Sequence, residues 1–100
     1  VKSILVFKTE IFSIATESPL PTRLKEARLE SGLSQKVLGI KAGIDEFSAS
    51  PRVNQYEKGT HAPAFDMIKR ISEVLDLPVA FFYAEDSALA EVIKDYHRKA

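Results

Sequence analysis

The sequence predicts an all-α domain, and three observations support that prediction. Apolar residues recur at steps of three and four over residues 64–75 and again over residues 86–98, as on one face of an α-helix. Glycines at positions 32, 43 and 59 follow helical stretches, where a left-handed C-terminal residue belongs. The 100 residues are 45% hydrophobic and include no cysteine, so one small core is expected without disulfides.

The first two helices are predicted from their start and stop signals. The first covers residues 22–30, with Pro21 or Thr22 able to begin it and Gly32 beyond its end. The second starts at an N-cap serine, Ser34, and continues through residue 42. The connection that follows, over residues 44–49, shows no clear period.

A short third helix is predicted over residues 51–58. Its signal is Ser50 followed by Pro51, since serine is a favoured N-cap and proline is favoured at the first helical position. Three more helices follow, over residues 64–75, 79–83 and 86–98. The fourth helix has its apolar stripe at Phe65, Ile68, Ile71 and Leu75, and the last has its stripe at Leu89, Val92, Ile93 and Tyr96. The latter stripe would pack against the core or against a second subunit.

Residues 1–20 are predicted to be an N-terminal extension, because Ser18-Pro19-Leu20-Pro21 interrupts the pattern. Two stretches rich in Ile, Val and Phe, residues 3–7 and 11–15, indicate short strands, with disorder as the alternative. A paired strand here could be a dimer element. No stretch has the length of a membrane span or a secretory signal, so we expect a cytoplasmic protein that does not bind membranes.

Charge is unevenly distributed although the formal net charge is zero. Residues 21–60 contain seven basic and five acidic side chains, whereas residues 61–100 contain five basic and seven acidic ones. A neutral total argues against a polyanionic partner, but the basic excess of the middle segment leaves nucleic acid open as a partner.

Nothing in the sequence predicts catalysis. The two histidines, His61 and His97, are far apart and have no cysteine near them, which argues against a metal site. No carboxylate pair accompanies a nucleophile, and there is no glycine-rich phosphate loop. We therefore expect no catalytic residue, no cofactor, no small-molecule substrate and no enzyme.

The second and third predicted helices have the organisation of a helix-turn-helix unit, in which one helix supports another that projects outward. Gly39 and Ala42 are small enough for close packing between them. The third helix carries Arg52, Asn54 and Gln55, side-chain types that form paired hydrogen bonds to base edges. An ordinary solvated helix face is the alternative. Backbone N–H groups at the starts of both helices suit phosphate oxygens.

Four short motifs then occur in a familiar order: Gly32-Leu33-Ser34-Gln35, Ala42-Gly43-Ile44, Tyr56-Glu57-Lys58-Gly59 and Leu75-Asp76-Leu77-Pro78. Together they resemble the DNA-binding domain of Cro/Xre-type phage repressors over residues 23–83. The resemblance implies a five-helix repressor-like helix-turn-helix domain over residues 21–84, with an additional C-terminal helix over residues 85–100.

The resemblance also implies roles for individual residues. Gln35 would touch the DNA backbone and orient base contacts, and Arg28 with Glu57 would form a structural ion pair, the alternative being two separate surface charges. Lys58, Thr60 and His61 would contact phosphates after the third helix. The complete predicted DNA-binding set is Gln35, Lys36, Ser50, Arg52, Asn54, Gln55, Lys58, Thr60 and His61.

Three departures from the family pattern affect individual contacts more than the fold. The link from Ile44 to Gly59 is about four residues longer than in compact members, which affects the start of the third helix. Pro51 stands where the family often makes a base contact and cannot donate a hydrogen bond. Val37 replaces the glutamate that would complete a capping box.

The sequence thus predicts a sequence-specific DNA-binding transcriptional regulator of the repressor type that acts as a homodimer on a two-fold double-stranded operator. The alternative is a helical protein-interaction module, an adaptor or antitoxin-like partner, binding through Phe81, Phe82 and the C-terminal stripe.

Overall fold

The computed structural model describes residues 18–100, and over this range the chain forms six helices and no strand. They are α1 Leu20–Ser31, α2 Gln35–Lys41, α3 Glu46–Lys58, α4 Phe65–Leu75, α5 Val79–Tyr83 and α6 Ser87–Lys99. The prediction of an all-α repressor-like fold is confirmed. The strands predicted within residues 1–17 lie outside the described residues.

The helix ends follow the predicted signals with one large exception, at α3. Gly32 and Gly59 end α1 and α3 in the left-handed conformation, at φ 77° and 75°, and Ser34 caps α2 by accepting a hydrogen bond from the amide of Val37 at 3.0 Å. Helix α1 begins at Leu20, two residues before the predicted range, with Pro19 as its N-cap and Pro21 in the first turn.

Helix α3 begins at Glu46, so the prediction that Ser50 and Pro51 start it was wrong. Asp45 is the N-cap, and its carboxylate accepts hydrogen bonds from the amides of Phe47 and Ser48, both at 3.1 Å. Pro51 lies inside the helix and cannot donate to the carbonyl four residues before it. The lost bond would have joined the second turn to the carbonyl of Phe47 in the first turn, next to the Asp45 cap. The residues expected to form a longer link therefore form about one additional helical turn.

The core forms around α1 to α5, and its closest packing is between α2 and α3. A Cβ atom at Gly39 would lie 2.7 Å from the Cβ and 2.9 Å from the Cα of Ala49. Only glycine therefore lets the two helices approach this closely. The largest completely buried side chains of the core are Leu24, Leu38, Val53, Ile68, Ile71 and Phe82.

Two guanidinium groups fix helices through backbone carbonyls. Arg23 is 7% exposed, and its Nε and Nη2 atoms donate to the carbonyl of Ala84 at 3.0 and 2.9 Å, which ties α1 to the segment between α5 and α6. Arg70 of α4 donates from Nε to the carbonyl of Ala42 at 2.8 Å, at the C-terminus of α2. The sequence analysis assigned neither role.

Two predicted apolar contacts differ from the structure. Phe65, at the first position of α4, is 67% exposed, while Ile68, Ile71 and Leu75 of the same stripe are buried. Phe81 and Phe82 are buried and pack edge to face with ring centroids 5.3 Å apart. They are part of the core, so they do not offer the partner-binding surface that the alternative function assigned to them.

The last helix, α6, contributes little apolar surface to the core. Ala90 is buried and Ile93 packs partly against the core, whereas Leu89, Val92 and Tyr96 are 51%, 62% and 77% exposed. These three side chains, named here the α6 face, are therefore at least half exposed within residues 18–100.

Charged groups complete the attachment of α6. Lys94 and Arg98 pair with Glu30 of α1 at 3.2 and 3.3 Å, and the His97 Nε2 atom lies 3.1 Å from the Asp76 carboxylate. The hydrogen bond and charge of Lys94 hold the pKa of the Glu30 carboxyl below its usual value, with Arg98 adding to the effect and desolvation opposing it.

In the part of the chain that the structure describes, no helix is long and apolar enough to cross a membrane. The same residues contain no cluster of three or more His, Cys, Asp or Glu side chains arranged to hold a metal ion.

Candidate nucleic-acid interface

A largely buried ion pair joins α1 to α3. The Arg28 guanidinium donates from Nε and Nη2 to the two carboxylate oxygens of Glu57, and from Nη1 to the carbonyl of Leu33 at 3.0 Å. The two side chains are 10% and 3% exposed. The fork of the guanidinium matches the carboxylate, so the pair fixes the rotation of α3 about its axis.

Gln35, the first residue of α2, extends this pair into a network. Its side-chain amide nitrogen donates to the side-chain oxygen Oδ1 of Asn54 at 3.2 Å and to Glu57 Oε1 at 3.1 Å. The start of α2 is thereby connected to the middle of α3. The bond from Gln35 orients the Asn54 side chain through its oxygen, so the amide nitrogen of Asn54 points away from Gln35.

The outward surface of α3 contains most of the predicted base contacts. Ala49, Val53 and Tyr56 are the buried residues of the helix. A period of 3.6 residues then places Pro51, Asn54 and Lys58 opposite the core, with Gln55 and Arg52 to one side and Ser50 to the other. Arg52, Gln55 and Lys58 are exposed, whereas Ser50 and Asn54 are half-buried.

The beginning of α3 is acidic, which overturns the expectation of a phosphate site there. Asp45 occupies the amides of Phe47 and Ser48, and Glu46 adds a second carboxylate in the first turn. A hydrogen bond involving Ser48 is the main cause that holds the pKa of the Asp45 carboxyl below its ordinary value. The carboxylate stays ionised and would repel a phosphate.

Lys36 lies beside the acidic start of α3 and forms an ion pair there. Its Nζ atom is 3.4 Å from Glu46 Oε1, and both side chains are more than half exposed. An exposed pair of this kind contributes about 0–1 kcal/mol, so the lysine can exchange its partner at little cost.

The loop after α3 is held by its own backbone. The amide and the hydroxyl of Thr60 both donate to the carbonyl of Gln55, at 3.1 and 3.3 Å. The His61 ring stacks on Tyr56 with centroids 6.0 Å apart. Lys58 precedes this loop with an exposed ammonium group. Lys58, Thr60 and His61 thus lie within four residues of one another at the C-terminal end of α3.

One exposed residue of α3 was missed by the sequence analysis. Phe47 is 91% exposed, and it lies in the turn that was predicted to be irregular. The signal that could have placed it is Asp45, a good N-cap that competes with Ser50 for the start of the helix.

Comparison with known proteins agrees with this geometry. A family model described as helix-turn-helix matches residues 24–82. An uncharacterised HTH-type transcriptional regulator of Sinorhizobium medicae (strain WSM419) and one of Rhizobium meliloti (strain 1021) are each 33% identical over 64 residues. The match covers 64% of this chain and 43% of each relative, so the chain spans less than half the length of these curated relatives.

A solved structure is similar over most of the fold. The crystal structure of the transcriptional regulator BswR has a TM-score of 0.75 and 46% sequence identity, covering 78% of this chain and 77% of that chain. The family match and these relatives support a role in DNA-binding transcription regulation. From its four ordered motifs, its helical architecture and these matches, the chain belongs to the Cro/C1-type helix-turn-helix family.

Proposed function

We propose that this chain is a sequence-specific DNA-binding transcriptional regulator of the repressor type, which inserts α3 into the major groove. The observation that carries the proposal is the outward surface of α3, where Arg52, Asn54 and Gln55 stand on a helix fixed by the Arg28–Glu57 pair. The family is typically non-enzymatic, which agrees with a binding function.

Base contacts fall to the exposed polar side chains of α3. Arg52 suits the O6 and N7 acceptors of guanine, and Gln55 and Asn54 suit adenine. Asn54 is already oriented by Gln35 at 3.2 Å, so it loses little conformational freedom on binding. Ser50 is half-buried and would contribute one hydroxyl at the edge of the surface.

Phosphate contacts are proposed on either side of α3. Gln35 and Lys36 would hold one strand from the start of α2, with Lys36 leaving Glu46 for the phosphate. Lys58, Thr60 and His61 would hold the backbone at the other end of α3. Few cations are available, so non-specific binding should be weak and base contacts should dominate affinity.

We further propose a homodimer on a two-fold operator. Two copies supply two α3 helices, which contact half-sites about one helical turn of DNA apart. The α6 face is a candidate for the interface, because it is apolar and exposed. The cytoplasmic location stays a prediction.

Selection of bound duplexes from a random library, followed by titration against salt, tests DNA binding. We expect an enriched sequence and an affinity that falls steeply as salt rises. Absence of an enriched sequence, together with binding that salt barely changes, would refute the proposal.

Two variants separate base contacts from phosphate contacts on the selected duplex. Arg52→Ala should cost about 1–3 kcal/mol and relax the preference at one base pair. Lys58→Ala should weaken all duplexes alike and reduce the salt slope by about 1. Lys69→Ala, which removes an exposed lysine from α4, is the matched control and should leave both quantities unchanged.

The dimer is tested by light scattering coupled to size-exclusion chromatography. Val92→Glu, in the middle of the α6 face, should shift the mass from dimer to monomer and abolish two-fold symmetry in the selected sequence. A wild-type chain that is monomeric on DNA and in solution would contradict this part of the proposal.

The second candidate function is a protein-interaction module. The exposure of Leu89, Val92 and Tyr96 favours it, since apolar side chains grouped on one helix suit a protein partner. The two functions differ in the selection experiment, because the module enriches no DNA sequence.

A further inference from the structure

The first turn of α3 presents an apolar ridge to solvent. Phe47 is 91% exposed, and Pro51, also exposed, follows it four residues later. Residues at this separation lie one above the other on a helix. Phe47 and Pro51, named here the α3 ridge, thus continue the outward surface that carries Asn54 and Lys58.

Within residues 18–100, the ridge makes no core contact. The residues that α3 buries are Ala49, Val53 and Tyr56, on the opposite side of the helix. Only the backbone amide of Phe47 helps to hold the helix, by donating a hydrogen bond to the Asp45 carboxylate. The Phe47 ring is exposed to solvent and does not contribute to holding it. One exposed phenylalanine would need no explanation, but Phe47 and Pro51 adjoin each other on the surface that carries the proposed base contacts, which suits a contact outside the chain.

Charge restricts what can cover the ridge. Asp45 and Glu46 adjoin Phe47, and the Asp45 carboxyl remains ionised. A phosphate backbone or an anionic surface is disfavoured at this end of α3. Base-pair edges in the major groove carry no net charge, and their one apolar group is the C5-methyl of thymine, which accepts contact from phenylalanine.

We infer that the α3 ridge recognises thymine methyl groups at the end of the half-site where α3 begins. The inference rests on the proposed function, because it requires α3 in the major groove. Phe47 precedes Arg52 by five residues, or about 7.5 Å along the helix. When α3 lies along the groove, the thymine methyl that Phe47 contacts is about two base pairs away from the base that Arg52 contacts.

The same inference accounts for Pro51. Pro51 is exposed on the outward surface of α3 and has no side-chain hydrogen-bonding group, so it cannot take part in polar recognition there. Its ring adds apolar surface beside Phe47, one turn along. At Pro51 a hydrophobic contact to DNA therefore takes the place of a polar one. Phe47, which lies in the additional turn of α3, provides the outer half of this hydrophobic surface.

Replacement of thymine by deoxyuridine tests the inference, because it removes the methyl group and leaves base pairing unchanged. Each thymine of the selected duplex is replaced in turn, and affinity is measured for the wild type and for Phe47→Ala. One or two positions should lower wild-type affinity by about four-fold, the factor for one methyl group withdrawn from an apolar contact. Phe47→Ala should bind both duplexes equally at those positions.

Two further variants control the comparison. Phe65→Ala removes another exposed phenylalanine, from α4, and should keep the full preference for thymine. Phe47→Leu keeps an apolar side chain and should keep part of it. Circular dichroism and urea unfolding of Phe47→Ala verify that the exposed substitution leaves the fold intact.

The outcomes distinguish this inference from the proposed function. An enriched sequence whose thymines can all be replaced without loss would overturn the methyl contact alone, as would a preference that persists in Phe47→Ala. Loss of a protein partner in Phe47→Ala, with DNA affinity unchanged on every duplex, would also overturn it. No enriched sequence for the wild type would overturn both.

Discussion

Replacing Glu57 by leucine is expected to lower the free energy of unfolding by about 3 kcal/mol, the lower end of the range for removing one partner of a buried ion pair. The Glu57 side chain is 3% exposed and that of Arg28 is 10% exposed, so water cannot replace the lost carboxylate. Arg28 keeps its bond to the carbonyl of Leu33 at 3.0 Å, and Gln35 keeps its bond to Asn54, which limits the loss.

A double-mutant cycle provides the control. Arg28→Met combined with Glu57→Leu removes both charges and should restore stability to within about 1 kcal/mol of the wild type, since apolar replacement of a buried pair is often nearly neutral.

Urea unfolding followed by circular dichroism measures all four proteins. A slope of about 1–3 kcal/mol per molar urea makes the loss in the single variant a midpoint shift of about 1–3 M. A double variant that loses as much as the two singles combined would refute the reasoning, because the pair would then contribute no coupling. A Glu57→Leu variant with an unchanged midpoint would refute it also.

Three further changes are expected to have measurable effects. Gly39→Ala should lower the free energy of unfolding by about 1 kcal/mol, because an overpacking cost of about 1–3 kcal/mol is partly offset by a gain of about 1 kcal/mol in helix propensity. The added Cβ atom would lie 2.7 Å from the Ala49 Cβ, and a urea midpoint higher than that of the wild type would contradict this close approach. Arg23→Met leaves the buried Ala84 carbonyl without its donors and should cost about 1–3 kcal/mol in the same assay, where no change would mean that water takes the place of the guanidinium. Asp45 has a lowered pKa in the folded chain, so its contribution is present above about pH 4 and is lost as the pH falls through the folded value. Asp45→Asn keeps the cap without this titration, and the difference in melting temperature between wild type and variant should shrink from pH 5 to pH 2; a constant difference would exclude the carboxylate as its source.

The helical elements of this chain could be predicted because their signals are local. Gly32, Gly59 and Ser34 act within one turn of the backbone, and each has the role expected of it. The start of α3 could not be fixed in this way, because Asp45 and Ser50-Pro51 are competing signals of the same kind. In the structure the Asp45 cap prevails, although Pro51 then stands inside the helix and one backbone hydrogen bond is lost.

Exposure was harder to predict than helicity. Phe65 has the same spacing as Ile68 and Ile71, but it is the first residue of α4 and is 67% exposed. Periodicity assigns a face to a residue and does not show how far the core extends along the helix. The hydrogen bonds of Gln35 likewise depend on the approach of α2 to α3, which spacing alone does not give.

Because α6 has little apolar contact with the core, salt should affect the proposed dimer in two places, at the phosphate contacts and at the ion pairs that attach α6. The pairs of Lys94 and Arg98 with Glu30 are accessible to solvent at the carboxylate, so added salt weakens them. In a dimer formed through the α6 face, the position of this helix on its own domain sets the distance between the two α3 helices. Salt would then alter the spacing of the paired helices while it also screens the phosphates. A plot of log affinity against log salt would curve downward instead of following one straight line, and half-sites with a changed separation would be tolerated better at high salt than at low salt.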